Sequence, residues 1–502
     1  MLQVTRLSVT HTRDLRPIVE DLSFVLQEGD RIALIGEEGN GKSTLLKLLY
    51  DEALVAGYVE WSGSITGNRQ RIGYLAQELS PEELSKPVPE FWDAGPAETA
   101  RVLTALSLEP ALPRSPRSMG SLSGGERVKL RLALLLAREP ELLLLDEPSN
   151  DLDLETLAWL EEFLLESPVP VLYVSHDEAL LRKTANAVIH LEALRRKTAP
   201  RATVARLPYD TYVELRRSGM EHQAQVSRQE HAAFQKKLER FRQIRNKVER
   251  QQATISRQDP HGGRLLKKKM HAVQAMGRRF QQEKERLTQM PEMEEAIFLR
   301  VPEDIRLPRG KRVLELSLPR LEAGGKLLAE QLRLTVTGPE RIGIIGPNGC
   351  GKTTLLRLVA EELLSRRDLR AAYMPQNYAD TLDLEKSPLE LLNRSGSREE
   401  ATKIRSYLES LRFTTREMEH RAGDLSGGQK AKLFFLEMIL SRAEVLILDE
   451  PTRNFSPLSG PVIRDILKSY GGAIVSVSHD RLYLEEVCTR LYALTPSGLT
   501  AL

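Results

Sequence analysis

Gly36-Glu37-Glu38-Gly39-Asn40-Gly41-Lys42-Ser43 and Gly346-Pro347-Asn348-Gly349-Cys350-Gly351-Lys352-Thr353 are the same phrase written twice in one chain. Each is a glycine-rich loop ending in Lys-Ser or Lys-Thr, a pattern whose backbone N–H groups wrap phosphate at the start of a helix. One such loop alone is a weak signal; the residues downstream of each copy give it weight. Behind the first come Gln77, Leu122-Ser123-Gly124-Gly125-Glu126, Asp146-Glu147 and His176. Behind the second come Gln376, Leu425-Ser426-Gly427-Gly428-Gln429, Asp449-Glu450 and His479. From the signature serine to the aspartate is 23 residues in both halves, and from that aspartate to the histidine is 30 in both. Five elements in one order at matched spacing imply a duplicated phosphate-handling domain.

The residues around the loops imply its architecture. Stretches 31–35 and 341–345 are short β-rich runs feeding the glycines, and 44–50 and 354–360 read on as helices, the strand–loop–helix order a true phosphate loop requires. Stretches 142–145 and 445–448 are unbroken apolar runs ending in an acidic pair, as expected of buried parallel strands whose C-terminal ends face a ligand. The fold class is therefore α/β: two tandem P-loop cassettes, at 1–200 and 301–502, joined by a long basic α-helical hairpin at 201–300.

Composition agrees with a globular chain: 502 residues, 41% hydrophobic and 28% charged. With only Cys350 and Cys488, no disulfide framework is available, which points to a reducing cytosol and a cytoplasmic protein. Cys350 reads as a small loop filler. No apolar stretch approaches the roughly 18 residues that span a bilayer, and Met1-Leu2-Gln3-Val4-Thr5-Arg6 reads as a first strand and not as an export signal.

The segment 208–289 breaks the cassette pattern. Phe234, Leu238, Phe241, Ile244 and Val248 recur in steps of 4, 3, 3 and 4, and Leu266, Met270, Val273, Met276, Phe280 and Leu287 form a second seam. Asp259-Pro260-His261-Gly262-Gly263 is a turn signal between them, so two antiparallel helices meeting at a tip near 253–265 are expected. Residues 236–286 hold 16 Lys and Arg against 5 Asp and Glu, a net of +11 in a chain whose total is only +2. Solvated helices normally mix their signs, so this rod implies a polyanionic partner.

The chemistry is set by residue type. Lys42 and Lys352 reach the β- and γ-phosphates of ATP, and Ser43 and Thr353 offer a hydroxyl to Mg²⁺. Asp146 and Asp449 hold the same metal, and Glu147 and Glu450, one residue on, polarise the attacking water. Gly36, Gly39, Gly41, Thr44, Gly346, Gly349, Gly351 and Thr354 complete the phosphate cradles.

Leu-Ser-Gly-Gly between phosphate loop and acidic pair, with Gln77 or Gln376 before it and His176 or His479 behind, resembles the ATP-binding-cassette ATPases. That resemblance implies that Gln77 and Gln376 join the Mg²⁺ and nucleotide contacts and that His176 and His479 act as switch residues. It also implies a head-to-tail sandwich. Lys42, Ser43, Gln77, Asp146, Glu147 and His176 would face Ser426, Gly427 and Gly428, while Lys352, Thr353, Gln376, Asp449, Glu450 and His479 would face Ser123, Gly124 and Gly125. Both halves sit in one chain, so the sandwich can form within a monomer.

Three departures stand out. Glu37-Glu38 bring negative charge to a phosphate site, Pro451-Thr452-Arg453-Asn454-Phe455-Ser456 differs from the first half's Ser149-Asn150-Asp151-Leu152-Asp153, and no aromatic upstream of either loop marks an adenine-stacking position.

Two cassettes without membrane spans, joined by a basic hairpin, resemble the ABC-F family of ribosome-associated translation ATPases along essentially the whole chain. In that family the linker enters the ribosomal exit site for tRNA, which implies ribosomal RNA and tRNA as partners. A basic rod suits them, since neutralising phosphates dominates such binding. The 45 residues from Gln77 to Leu122, against 49 from Gln376 to Leu425, leave no inserted arm, and the sequence continues only 23 residues past His479. This pared-down plan resembles the antibiotic-resistance branch. A housekeeping translation factor and the ATPase subunit of a transporter with separate membrane subunits are the alternatives.

Overall fold

Both glycine loops leave the C-terminal end of a central strand. In the computed structural model, which describes residues 1–106, 108–194, 198–254, 260–292 and 305–502, strand Arg31–Ile35 lies between the parallel strands Val171–Val174 and Ala187–Ala193. Its sheet runs Ile72–Leu75, Leu142–Asp146, Val171–Val174, Arg31–Ile35, Ala187–Ala193, Ala199–Ala205. The second cassette repeats the order with Ala371–Met374, Val445–Asp449, Ala473–Val477, Arg341–Ile345, Arg490–Thr495 and Gly498–Ala501. Strands Leu142–Asp146 and Val445–Asp449 are buried at every position, because both faces of a parallel sheet are covered. Parallel register brings the strand ends, and so the loops that carry chemistry, to one edge.

An antiparallel layer covers each phosphate-loop helix. In the first cassette, strands Leu2–His11, Pro17–Leu26 and Val59–Thr66 form a three-stranded sheet. Its Leu2, Val4, Leu7 and Phe24 share one core with Leu45, Leu46, Leu48 and Leu49 of helix Lys42–Tyr50 and with Leu142 and Leu172 of the central sheet. Met1 to Arg6 thus enters a strand, as its sequence implies. In the second cassette the pair Arg312–Ala323 and Lys326–Thr337 does the same for Leu355, Leu356 and Val359 of helix Lys352–Ser365.

The division at residue 200 needs correction. Strand Ala199–Ala205 pairs antiparallel with Ala187–Ala193, Val188 opposite Ala205, and so belongs to the first cassette. The cassettes together make one compact unit and Asp210–Met293 another.

That second unit is a helical hairpin. Helix Tyr209–Thr254 has 46 residues, about 69 Å at about 1.5 Å each, and helix Pro260–Arg286 has 27. They run antiparallel, as shown by Phe241 against Phe280 at 5.2 Å, Phe234 against Phe280 at 5.9 Å and Lys237 to Glu283 at 2.5 Å. Phe241, Val248 and Val273 are buried at the seam, with Leu238, Met270 and Phe280 packed against them. Ile244 and Met276, expected in the seam, are 45% and 40% exposed. Each sits three residues, about 60° short of a full turn, from Phe241 or Val273, on the flank the partner helix leaves uncovered. The expected turn at 259–263 is also corrected: Pro260 to Gly263 open the second helix, where proline's missing N–H costs nothing. Asp259 and the rest of 255–259 lie outside the described residues.

Candidate active sites

Each phosphate loop bends from strand to helix through a glycine in left-handed conformation, Gly41 at φ 84° and Gly351 at φ 100°. At Gly41 a Cβ would stand 2.1 Å from Ile18 Cγ2, so only glycine serves there. Lys42 Nζ donates to the carbonyls of Gly36 and Glu37 at 2.8 and 3.0 Å, and Lys352 Nζ to those of Gly346 and Pro347 at 2.8 and 2.9 Å. Both ammonium groups therefore curl over their own loops.

The acidic pairs end the buried strands. Asp146 accepts from the Ser43 hydroxyl at 3.0 Å, and Asp449 is hydrogen-bonded to Thr353. The glutamates next in sequence, Glu147 at φ 51° and Glu450 at φ 52°, both occupy the left-handed region. Such backbone costs on the order of 1–3 kcal/mol in a non-glycine residue and persists where function fixes it.

The Ser-Gly-Gly signatures are helix starts. Ser123 caps helix Gly124–Ala137 in a capping box with Glu126, and Ser426 caps Gly427–Leu440 in a box with Gln429. Each presents the positive end of a helix dipole.

At the second site these parts enclose a cavity of about 810 Å³. Lys352, Thr353, Thr354, Gln376, Asp449, Glu450 and His479 line it from one cassette, and Ser123 and Gly124 from the other, along with Gly349 and Gly351. Gly125 and Gly346 are the exceptions among the residues expected there: a Cβ on Gly125 would meet Thr156 Oγ1 at 2.5 Å, and one on Gly346 the Leu494 carbonyl oxygen at 2.8 Å.

The first site is filled by its own side chains. Gly427 and Gly428 stand opposite the first loop, as expected, but the Glu38 carboxylate accepts the Gly428 N–H at 2.5 Å. Glu37 accepts from the hydroxyls of Ser456 and Ser459 at 2.6 and 2.7 Å, with Lys432 Nζ 3.6 Å away. Gln77 donates its amide to Glu147 at 3.1 Å, His176 Nε2 lies 3.2 Å from the same carboxylate, and Asn150 donates to it as well.

The electrostatics differ accordingly. Burial pushes Glu147 up, but the His176 hydrogen bond and charge, with Lys42 and Asn150, outweigh it and hold the carboxyl at about 2. Burial raises Glu450 to about 8, against the backbone bond from His479 and with help from the Asp449 charge. Burial likewise lifts Asp146 to about 6 and lowers His479 to about 4. Burial raises the Cys350 thiol, in keeping with a loop filler.

Several contacts at the sites go beyond what the motifs imply. Asn348 donates to the Asp151 carbonyl at 2.5 Å across the cassettes, and Arg453 pairs with the Asp151 carboxylate at 2.9 Å. Arg127 lines the second cavity, as do Ala323 and Leu328, aliphatic side chains near the loop. The pair of departures at 37–38 and 451–456 was the one available signal, since each of those segments touches the other cassette. His176 Nδ1 also meets the Phe455 carbonyl at 2.8 Å, tying the first switch histidine to the second half's loop.

Beyond the loops, two arginines of the second cassette pair with carboxylates of the first. Arg464 meets Glu178 at 2.9 Å, with both side chains buried, and Arg481 meets Glu161 and, at 3.7 Å, Asp177.

The residues fit Mg²⁺ with ATP. Asp449 Oδ2 is buried without a partner among the described residues, beside the Thr353 hydroxyl, and His479 Nδ1 is likewise unmatched. One carboxylate and one hydroxyl are hard oxygen donors, the sparse set Mg²⁺ takes when phosphate supplies the rest.

The family model described as "ABC transporter" matches residues 19–150 and 329–453, one match per cassette. The chain is 25% identical to ABC transporter F family member 5 of Arabidopsis thaliana, covering 94% of this chain and 72% of that protein. It is 28% identical to the ribosome protection protein VmlR of Bacillus subtilis, covering 99% and 87%. Among solved structures, an archaeal ribosome recycling factor in complex with a ribosomal stalk protein superposes over 99% of this chain and 90% of its own, at a TM-score of 0.61 and 18% identity, a likeness of fold.

Proposed function

We propose that this chain, which belongs to the ABC transporter family as a tandem-cassette ABC-F ATPase, uses a nucleotide-driven clamp of its cassettes to work its basic hairpin on the ribosome. The observation that carries the ribosomal reading is the net charge of +11 on residues 236–286. A rod so charged gains affinity for RNA by releasing counterions, and the release is steep in salt. Among the described residues no helix is long and apolar enough to cross a membrane, and a transporter whose spans lie in separate subunits would explain both cassettes but not a rod of this charge between them. The relative named for ribosome protection favours drug relief as the finer role.

When bound, ATP with Mg²⁺ supplies the transferable phosphoryl group and the charge that offsets it. Lys352 exchanges the carbonyls of Gly346 and Pro347 for phosphate oxygens. Thr353 and Asp449 would hold the metal, with Gln376 beside them; Ser43, Asp146 and Gln77 would be their counterparts. Glu450 orients the attacking water and takes its proton, and His479 positions that glutamate through its own N–H, 3.2 Å from the carboxylate. Ser123, Gly124 and Gly125 bring a helix N-terminus from the opposite cassette, so binding draws the halves together.

The protein works as a monomer. Arg464 and Arg481 come from the second cassette, and Glu178 and Glu161 from the first. Pairing two like cassettes would set like charges opposite each other, a repulsion that selects a first cassette against a second, and one chain carries both.

Cosedimentation with ribosomes and with membranes, in ATP and without it, tests the proposal. Reversing Lys267, Lys268 and Lys269 to Glu should lower ribosome affinity and flatten its salt dependence while ATP turnover is kept. Binding unchanged across a salt titration would reduce the hairpin to a solvated spacer. Growth of a susceptible bacterium across ribosome-targeting drugs then separates drug relief from a housekeeping role.

A further inference from the structure

Glu38 stands where a terminal phosphate would be gripped. Its carboxylate accepts the Gly428 N–H at 2.5 Å, and a Cβ on Gly427 would lie 3.2 Å from the same oxygen, so one anion already covers both signature glycines. That N–H opens helix Gly427–Leu440, whose dipole favours a single compact negative charge there. Glu37 fastens the loop in this position. Its carboxylate is held by the hydroxyls of Ser456 and Ser459, both buried, and by Lys432, which is itself only 8% exposed. The second loop has no acid at these places. Pro347 and Asn348 stand there, Asn348 turns to the Asp151 carbonyl, and Ser123 and Gly124 line a cavity of about 810 Å³.

We propose that the two composite sites differ in ligand class: the second takes a nucleoside triphosphate, and the first takes a nucleoside diphosphate, with Glu38 serving as its built-in substitute for the γ-phosphate. The loop Gly36 to Ser43 keeps its lysine, hydroxyl and left-handed glycines, which suffice for a terminal β-phosphate. A third phosphate would have to displace Glu38 from Gly428 and lie beside two carboxylates, a like-charge contact that specificity can rest on. Glu38 is thus a specificity residue, and the first half of the sandwich stays latched while the second opens and closes. This inference rests on the proposed reading of the first loop as a nucleotide site.

The test uses the full chain carrying Lys352→Ala, so that nucleotide binds only at the first loop. Fluorescent ADP and a fluorescent non-hydrolysable ATP analogue are titrated with Mg²⁺, and the ratio of their dissociation constants is compared with that in Glu38→Gln and Glu38→Asn versions of the same chain. The expected result is diphosphate binding at least tenfold tighter in the parent, with that ratio falling at least fivefold in both variants, since each stays close to the side chain's size and loses its charge. Equal affinities in the parent, or a ratio untouched by either substitution, overturns the inference and leaves the first loop a nucleotide site. If neither nucleotide binds any of the three proteins, the first loop is not a nucleotide site and both readings fall together.

Discussion

The two composite sites share a plan and differ in what fills them. At the second, a cavity of about 810 Å³ separates Lys352 and Thr353 from Ser123 and Gly124, and Glu450 is raised to about 8 by burial. At the first, Glu38 bridges to Gly428, and Glu147 is held at about 2 within bonds from His176, Gln77 and Asn150. Duplication therefore preserved the scaffold of strands and helix termini while the loops at 37–38 and 453–456 diverged. A catalytic apparatus copied twice does not imply two equal catalytic centres.

The largest test of that difference is removal of each glutamate in turn. Glu450→Gln should cut phosphate release about 10³-fold, within the usual range for losing a positioned base, whereas Glu147→Gln should change it by no more than about twofold, well under 1 kcal/mol of barrier. The double variant should match Glu450→Gln alone while still binding ATP. Equal losses from the two single changes, measured by steady-state phosphate release, would break the comparison.

Next in size is the interface that holds both sites. Arg464→Ala leaves the buried Glu178 with Arg182 alone, which holds its other oxygen at 2.6 Å, and should lower unfolding stability by about 2 kcal/mol in denaturant titrations. A smaller effect is expected from writing the first loop into the second: Pro347→Glu with Asn348→Glu should slow ATP turnover roughly tenfold, about 1.4 kcal/mol, by placing an acid toward the Gly125 N–H. Unchanged turnover would mean that acids at these positions do not obstruct a phosphate. Smallest is Asp151→Ala, which removes the partly exposed pair with Arg453 and should cost under about 1 kcal/mol of stability.

Much of this is legible in the chain itself. The glycine loops, the apolar strands ending at Asp146 and Asp449 and the steps of Phe241 and Val248 arise from backbone sterics and from the periods of strand and helix, which are local properties. The boundary at 200 was not, because Ala199–Ala205 is a strand only through its pairing with Ala187–Ala193. Nor was the exposure of Ile244, since periodicity defines a stripe but not which flank a partner covers.

At the sites the division is sharper. Sequence alone determined which residues can bind phosphate and metal and split water, because Lys42, Ser43, Asp146 and Glu147, and their second copies, carry that chemistry in their functional groups and spacing. It also showed that Glu37 and Glu38 bring negative charge where phosphate belongs. Only the tertiary structure decided what that charge does: Glu38 meets Gly428, 390 residues away, and Glu37 meets Ser456, 419 away. A hydrogen bond across such a separation depends on how two cassettes dock, and docking is set by surface shape and by pairs such as Arg464 with Glu178, which no local pattern in either half encodes.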